Sequence, residues 1–485
     1  MTRQGIEGVR AGGPGDAVCG VVPAHTARPR NVEELAGLLA EAARHNRSVA
    51  ARGGGTALDW GGRPTSVDLL VDTGALSRID HDAGDLVVEV GAGAPVADLA
   101  GVLAAAGQRL SVDPVRAGGT VGGLLATGLS GPRRLLTGAL RDLVIGMTVV
   151  RPDGVVARSG GRVVKNVAGY DLAKLHVGGH GTLGVIASAA FRLHPLPPAL
   201  RTLGVSPPTA AAAEQALDAL RRSTVVPAAV ELDRLPGGEL RLTVVLEGTP
   251  AGVEARAAQT ARLLAAALPA GTRVTPETTG ASRTSAPTDG REAPQAPGNG
   301  GTPATTDGHG TPGGDESPGN HRTPAAIGGD GAPGAEGAPG VRVSEGLPPG
   351  WGLLPTAGTL VRLSVPPAES VPAAVGLGSL AEDVHGTAVR ITGSAPRGAL
   401  VLAFAPGASA AAVGDVLAQA RSHTGWTATV VRAEAHLHEA GVDLWGEVPG
   451  LAVMRVIRDA MDPGHRMAPG RFVTDAPPTP REERP

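Results

Sequence analysis

Aromatic side chains are nearly missing from this chain. Its 485 residues include three Phe, four Trp and one Tyr, so a core has to be built from Val, Leu, Ile and Ala. The 42% hydrophobic and 18% charged content makes that possible, because it is the balance of ordinary globular domains. Aromatic platforms for stacking single-stranded nucleic acid are excluded. A global basic field is excluded too, since the formal net charge is −3. The single cysteine, Cys19, excludes intramolecular disulfides and any iron–sulfur cluster held by four thiolates of this chain. No run approaches the roughly 18 apolar residues a membrane helix needs. The first 30 residues lack a charged segment followed by an apolar one, so no signal peptide is expected and the expected location is cytoplasmic. The length predicts two or more domains.

What the chain has in quantity is glycine, 73 residues of it, gathered at loops between periodic segments. Residues 1–24 show no period and read as a loose, flexible tail. In "NVEELAGLLAEAARHN", Asn31 followed by Glu34 forms an Asn/Glu capping box, and Val32, Leu35, Leu38 and Leu39 share one helical face. "SVAA" reads as a buried strand feeding the glycine loop "RGGGTALDWGG". "LLVD" and "LVVEV" are further strands, and "PVADLAGVLAAAG" is a helix with Pro95 near its start and Gly107 as its stop. "LVIGMTVVRPDGVVARSG" is a hairpin turning at Pro-Asp-Gly, and "GVIASAAFRL" is another strand. Residues 25–198 therefore form one α/β unit.

From residue 199 the order becomes β-α-β-β-α, over 199–275. It returns over 343–445, with 368–379 as a weak helix and "WTATVVRAE" as a closing strand. Two such halves predict a duplicated ferredoxin-like layer, an antiparallel sheet covered by helices. The fold class is thus α+β. Between the halves, 276–342 contains Ile327 as its only Val, Ile or Leu before Val341, and a segment so poor in apolar residues is expected to be disordered. Its Gly and Pro keep no three-residue period, which rejects collagen. Residues 446–473 hold a helix with an apolar stripe of Leu451, Val453, Met454, Val456, Ile457 and Met461, ended by Asp462-Pro463-Gly464. Residues 474–485 read as a frayed tail.

Four stretches could carry chemistry. Gly53, Gly54, Gly55 and Thr56 can turn backbone N–H groups onto an anion, although a plain turn has the same composition; no Gly-Lys-Ser/Thr follows, so this is not a nucleotide P-loop. "DPVRAGGTVGGLLATGLSG" has too many glycines for a stable isolated helix and suits a planar ligand packed on backbone, the alternative being a loosely packed helix. "LVVEVGAGAPVADL" imitates a dinucleotide fingerprint, but Val96 stands at its third glycine. In "HLHEAG", His436 and His438 at i and i+2 would share a face if extended and could bind metal together with Glu439; with no third His or Cys cluster they read as a polar strand end, and no metal site is expected. His176, His180 and His194 are scattered, and no catalytic base is legible.

Four motifs in order, "RGGGTALDWG", "DPVRAGGTVGGLLATGLSGPRRLLTGALRDLVIGMTVVRPDG", "GGRVVKNVAGYDLAKLHVGGHGTLGVI" and "DPGHRMAPGRF", resemble the FAD-binding oxidoreductases of the vanillyl-alcohol oxidase type, with a PCMH-type FAD domain. Within them they are most similar to the smaller flavin subunits of glycolate oxidases. The resemblance covers 25–200 and 450–473. It implies a two-subdomain FAD domain followed by an antiparallel-sheet cap. It implies that Gly53 to Thr56 cradle the FAD pyrophosphate, and that Asp113, Pro114, Gly118, Gly119, Thr120, Gly122, Gly123, Thr127 and Gly128 wall the flavin and ribityl chain. Gly181, Thr182 and Val185 would edge the adenosine half, and Arg471 would return toward the flavin. Tyr170 and Asp171 would lie beside the cofactor, with the Tyr170 hydroxyl finding a partner there, and Lys165 would stabilise the reduced anion.

The glycine loop has no His or Cys, which implies noncovalent FAD. A "G-E-H-G" segment that would supply a catalytic His is missing, and Ala468 replaces the family's Asn before "PGR". The expected role is therefore a subunit that oxidises glycolate or a similar 2-hydroxy acid to the 2-oxo acid. A second FAD subunit and an iron–sulfur subunit are the expected partners, and membrane contact at the inner membrane would be peripheral, through the complex. The alternatives are a stand-alone FAD-dependent D-lactate or 2-hydroxy-acid dehydrogenase and a scaffold subunit with structural FAD.

Overall fold

The Asn31 side chain begins the first long helix, Val32–Arg44, by accepting the Glu34 N–H at 2.8 Å. The Glu34 carboxylate reaches back one residue further than a capping box requires, to the N–H of Arg30. Leu35, Leu38, Leu39 and Ala42 form the buried face, each leucine contributing about 1.5–3 kcal/mol when fully removed from water. In the computed structural model, residues 9–162, 170–269 and 340–471 are described, and all fall in one unit, Met1–Val274 with Ala335–Pro485. The reading of Lys165, nearly all of the 276–342 segment and the 474–485 tail lies outside the described residues.

Three main sheets organise the described residues. The first is four-stranded, Arg10–Ala11, His25–Ala27, Leu69–Asp72 and Val49–Arg52 in spatial order, parallel across its last three strands. The second is a five-stranded antiparallel sheet ordered Ile79–Asp82, Val87–Gly91, Val185–Arg192, Val144–Val150, Val156–Gly160. Its last pair is the expected hairpin, in register from Val150↔Val156 to Gly146↔Gly160. Gly154 takes φ +87 at the turn, and a Cβ there would come within 2.7 Å of Ala36 O and Ala40 on the first helix. Glycine is needed both for the turn and for that contact.

The third sheet has eight antiparallel strands. Their order is Arg342–Glu345, Ala199–Val205, Leu240–Gly248, Ala229–Arg234, Val389–Ser394, Ala399–Phe404, Leu360–Ser364 and Thr427–Arg432. Helices Ala210–Arg221, Pro250–Ala267, Ser370–Ser379 and Ala410–Ser422 bury one face of it, packing on Leu203, Leu232, Leu242, Leu363 and Leu402. The other face meets the glycine-rich loops: Leu360, Ala403 and Val431 close on Trp60, Val115 and Leu129. A buried ion network also crosses this seam. Glu247 on the sheet accepts Arg109 at 2.8 Å and lies 3.7 Å from Arg133, whose Nε donates to Asp113 at 2.6 Å.

Four elements depart from the sequence expectation. Residues 9–24 are packed rather than a loose tail: Val18 is fully buried, and Asp16 holds both Arg10 and Arg52 at 2.7–2.8 Å. The period that marks a helix or strand is missing there because ion pairs and one short strand, not an apolar stripe, hold the segment. The strand Arg342–Glu345 extends the sheet where the sequence predicts no strand, and its first residue is the last of the segment expected to be disordered. The 435–439 stretch is a short helix, so its histidines do not share a strand face. Helix Leu451–Met461 is turned inside out: Val453, Met454 and Val456 are 62%, 40% and 68% exposed, while Arg458 is buried at 8%.

Candidate cofactor cleft

Two glycine-rich stretches meet at the ends of strands from different sheets. Strand Val49–Arg52 delivers Gly53, Gly54, Gly55 and Thr56. The Gly118–Thr120 turn delivers helix Val121–Thr127, capped by the Thr120 hydroxyl and ended by Gly128 at φ +64. The contact leaves no room for a side chain. A Cβ on Gly54 would lie 2.4 Å from the Gly118 carbonyl oxygen, and one on Gly53 would lie 2.0 Å from the Thr120 hydroxyl. The glycine density of the 113–131 stretch thus has a second cause beside any ligand. Gly122 brings the helix so near strand Val87–Gly91 that a Cβ would come within 2.9 Å of Ala92, and a Cβ on Gly128 would come within 2.8 Å of the Gly178 backbone. The helix is tightly, not loosely, packed.

Between these stretches runs an open cleft of about 710 Å³, solvent at its mouth included. Gly53 to Thr56, Thr120, Gly122, Gly123, Thr127, Gly181, Val185 and Arg471 line it. The backbone N–H groups of Gly54, Gly55 and Thr56 donate to no acceptor among the described residues. Gly181 has φ +74 with nothing within 4 Å of an added Cβ, so its wall of the cleft is bare backbone. A second recess, lined by Arg28, Gly74, Gly93 and Asp98, shares Gly53, Gly54 and Thr120 with the first. Free amides beside bare backbone form the kind of surface on which a phosphate-bearing, planar cofactor packs.

Arg471 supplies the charge. It is 5% exposed, donates to the carbonyls of Leu58 (3.1 Å) and Trp60, and leaves its Nε without a partner. Burial lowers its pKa from the ordinary arginine value, but a guanidinium remains protonated in a protein. Arg52, also on the cleft wall, is already neutralised by Asp16 at 2.8 Å and Asp72 at 2.9 Å.

Other residues expected at the cofactor lie elsewhere. Asp113 is buried at 2% and committed to Arg133, whose backbone N–H also donates to it at 2.7 Å. Pro114 and Gly118 are exposed outside the cleft lining; Gly119 is partly buried and also off it. Gly128 is a helix terminator, and the Thr182 hydroxyl donates to Gly179 O at 2.6 Å. Tyr170 is 91% exposed, and Asp171 pairs with Lys174 at 2.7 Å. A half-polar Tyr is as stable on the surface as against a partner, so its rarity in the composition does not place it in the site.

His180, which reads in the sequence as one of three scattered histidines, belongs to the cleft. His180 lines the cleft at φ +49, its ring 3.6 Å from where a Cβ on Gly61 would stand, and neither ring nitrogen has a partner among the described residues. Burial, then the charges of Arg471 and Arg362, push its pKa down to about 3, so it is neutral at physiological pH. The one signal in the sequence was position, directly before the Gly181–Val185 wall.

Residues 23–160 match the family described as FAD binding domain, and FAD is the cofactor that this match and the cleft support. Three relatives are similar over part of their length. D-lactate dehydrogenase of Archaeoglobus fulgidus is 35% identical across 38% of this chain and 41% of its own. Glycolate oxidase subunit GlcD of Bacillus subtilis is 33% identical across 42% and 44%. Glycolate oxidase subunit GlcE of Escherichia coli is 38% identical across 29% and 41%. The chain thus spans less than half the length of these relatives in each match. Alkyldihydroxyacetonephosphate synthase shares the fold: TM-score 0.59 at 14% identity, over 93% of this chain and 76% of the synthase. No helix among the described residues is long and apolar enough to cross a membrane.

Proposed function

We propose that this chain is an FAD-dependent oxidoreductase subunit acting on a 2-hydroxy acid, in a glycolate oxidase-like complex that hands the electrons to a partner chain. The observation that carries the reading is the meeting of the free Gly54, Gly55 and Thr56 amides with the under-partnered Arg471 guanidinium in one cleft. The amides would hold the pyrophosphate, and Arg471 would favour negative charge developing on the ring system. FAD, when bound, supplies the acceptor for the hydride leaving the carbinol carbon. The Gly122–Gly123 and Gly181 backbone would hold the ring flat and keep water from its face.

The subunit reading draws support from helix Leu451–Met461. Its outward stripe of Val453, Met454 and Val456 has no cover among the described residues. An apolar groove on a partner subunit fits such a stripe.

An absorption spectrum of the purified full chain, followed by anaerobic glycolate or D-lactate, tests the reading. Flavin bands released by acid and not bleached by either acid mark noncovalent FAD in a partner-dependent subunit. Bleaching by D-lactate without a partner would establish a stand-alone dehydrogenase instead. No flavin, even after incubation with FAD, would refute the cofactor reading.

A further inference from the structure

Two side chains of the cleft, Arg471 and His180, meet with hydrogen-bonding capacity that the fold does not use. Arg471 is held by its Nη2, which donates to the carbonyls of Leu58 and Trp60. Its Nε and Nη1 have no acceptor among the described residues. Two groups could offset its charge, and neither does. Asp59 is 46% exposed and turns to Arg432, its Oδ2 3.8 Å from the Arg432 Nε. Cys19 is a thiol that burial keeps protonated, its Sγ donating to Leu58 O at 3.2 Å. Buried charges in proteins are paired, and the described residues give this one no carboxylate within ion-pair distance.

His180 stands next to it. Its backbone N–H donates to Ala126 O at 2.9 Å, which ties the residue to the end of helix Val121–Thr127. A neutral imidazole carries a hydrogen on one ring nitrogen and a lone pair on the other. The charges that act on His180, Arg471 and Arg362, are both positive. One small space lies against both side chains. A Cβ built on the buried Gly61 would have His180 Nδ1 at 3.6 Å and Arg471 Nε at 3.9 Å, with nothing nearer than the His180 ring. Those are ordinary van der Waals distances, so a small group set there touches both residues without displacing either.

We infer that His180 and Arg471 jointly hold one oxygen-bearing anion, Arg471 through its free N–H groups and His180 through a ring N–H. Charge-assisted bonds of this kind suit a carboxylate of the hydroxy acid and a phosphate of the cofactor alike. The inference rests on the reading of the cleft as the FAD site, and His180 is the residue it adds to that reading.

Calorimetry on the full chain tests it, with inorganic pyrophosphate added to the apo chain and acetate to the FAD-loaded chain. His180→Gly removes the ring at a φ that glycine accepts, and His180→Asn keeps a donor near the place of Nδ1 in a residue that tolerates the same φ. If the anion is a phosphate, His180→Gly should weaken pyrophosphate about tenfold, the range of one charge-assisted bond, and leave acetate within twofold. If it is the carboxylate, the two ligands exchange places. In both cases His180→Asn should recover part of the loss. His180→Gly made on Arg471→Ala should then cost less than twofold, because the anion has already lost its anchor. Losses that multiply in the double variant, or a His180→Gly chain that binds both ligands within twofold of wild type, would overturn the inference. A wild-type chain that takes up no FAD, yet loses pyrophosphate affinity about tenfold on His180→Gly, would overturn the cofactor reading and leave the pair standing.

Discussion

Replacing Gly54 by alanine isolates what the glycine loop does. The new Cβ would lie 2.4 Å from the Gly118 carbonyl oxygen, well inside the roughly 3.0–3.4 Å at which real contacts begin. The obstacle is backbone, so no rotamer change relieves it, and the two loops must part by well over half an ångström. Overpacking of this kind destabilises by about 1–3 kcal/mol. If the Gly54–Thr56 amides hold the pyrophosphate as proposed, they must converge on one anion, and the same displacement should weaken FAD binding about 10- to 100-fold. The assay is fluorescence titration of the apo chain with FAD, beside a denaturant melt. Gly119→Ala is the matched control: it lies in the partner stretch at ordinary φ, with its closest neighbour 3.6 Å from the added Cβ. If Gly54→Ala binds FAD within twofold of wild type, or Gly119→Ala is equally damaging, the close-approach argument is wrong.

Other outcomes follow from the charges. Glu247→Ala strips the buried Arg109 of its carboxylate and should lower stability by about 3–5 kcal/mol, read from urea unfolding. His180 is held down to about 3 in the fold against an ordinary 6.5, so its unfolded form binds the extra proton: the stability it contributes is complete above pH 6.5 and falls by up to about 1.4 kcal/mol per pH unit below it. The apo His180→Gln variant should therefore lose less stability than wild type between pH 6.5 and pH 4. Asp16 is held far below the usual carboxylate range by Arg10 and Arg52; its contribution is present above its unfolded pKa and disappears as pH falls, so Asp16→Asn should flatten the acid limb below about pH 4 and no other part of the profile. Arg471→Ala should release FAD more than Arg471→Lys, measured by flavin retained on gel filtration, because the guanidinium alone anchors to Leu58 O and Trp60 O while facing the cleft.

The sequence by itself determined the local pieces. The 3.6 period placed helix Val32–Arg44 on its leucine face, Pro-Asp-Gly set the hairpin between Val144–Val150 and Val156–Gly160, and the Gly53–Thr56 loop was legible because bare backbone is the one feature glycine cannot hide. Such signals are written within a few residues of each other. Tertiary structure decided the rest. It spent Asp113 on Arg133, put Tyr170 in solvent, turned the stripe of Leu451–Met461 outward and tied residues 9–24 down through Asp16. It also brought His180 and Arg471 to one cleft from separate parts of the chain. A local pattern records which face of an element is apolar. What meets that face, and which charge is left without a counter-charge, depends on contacts hundreds of residues apart.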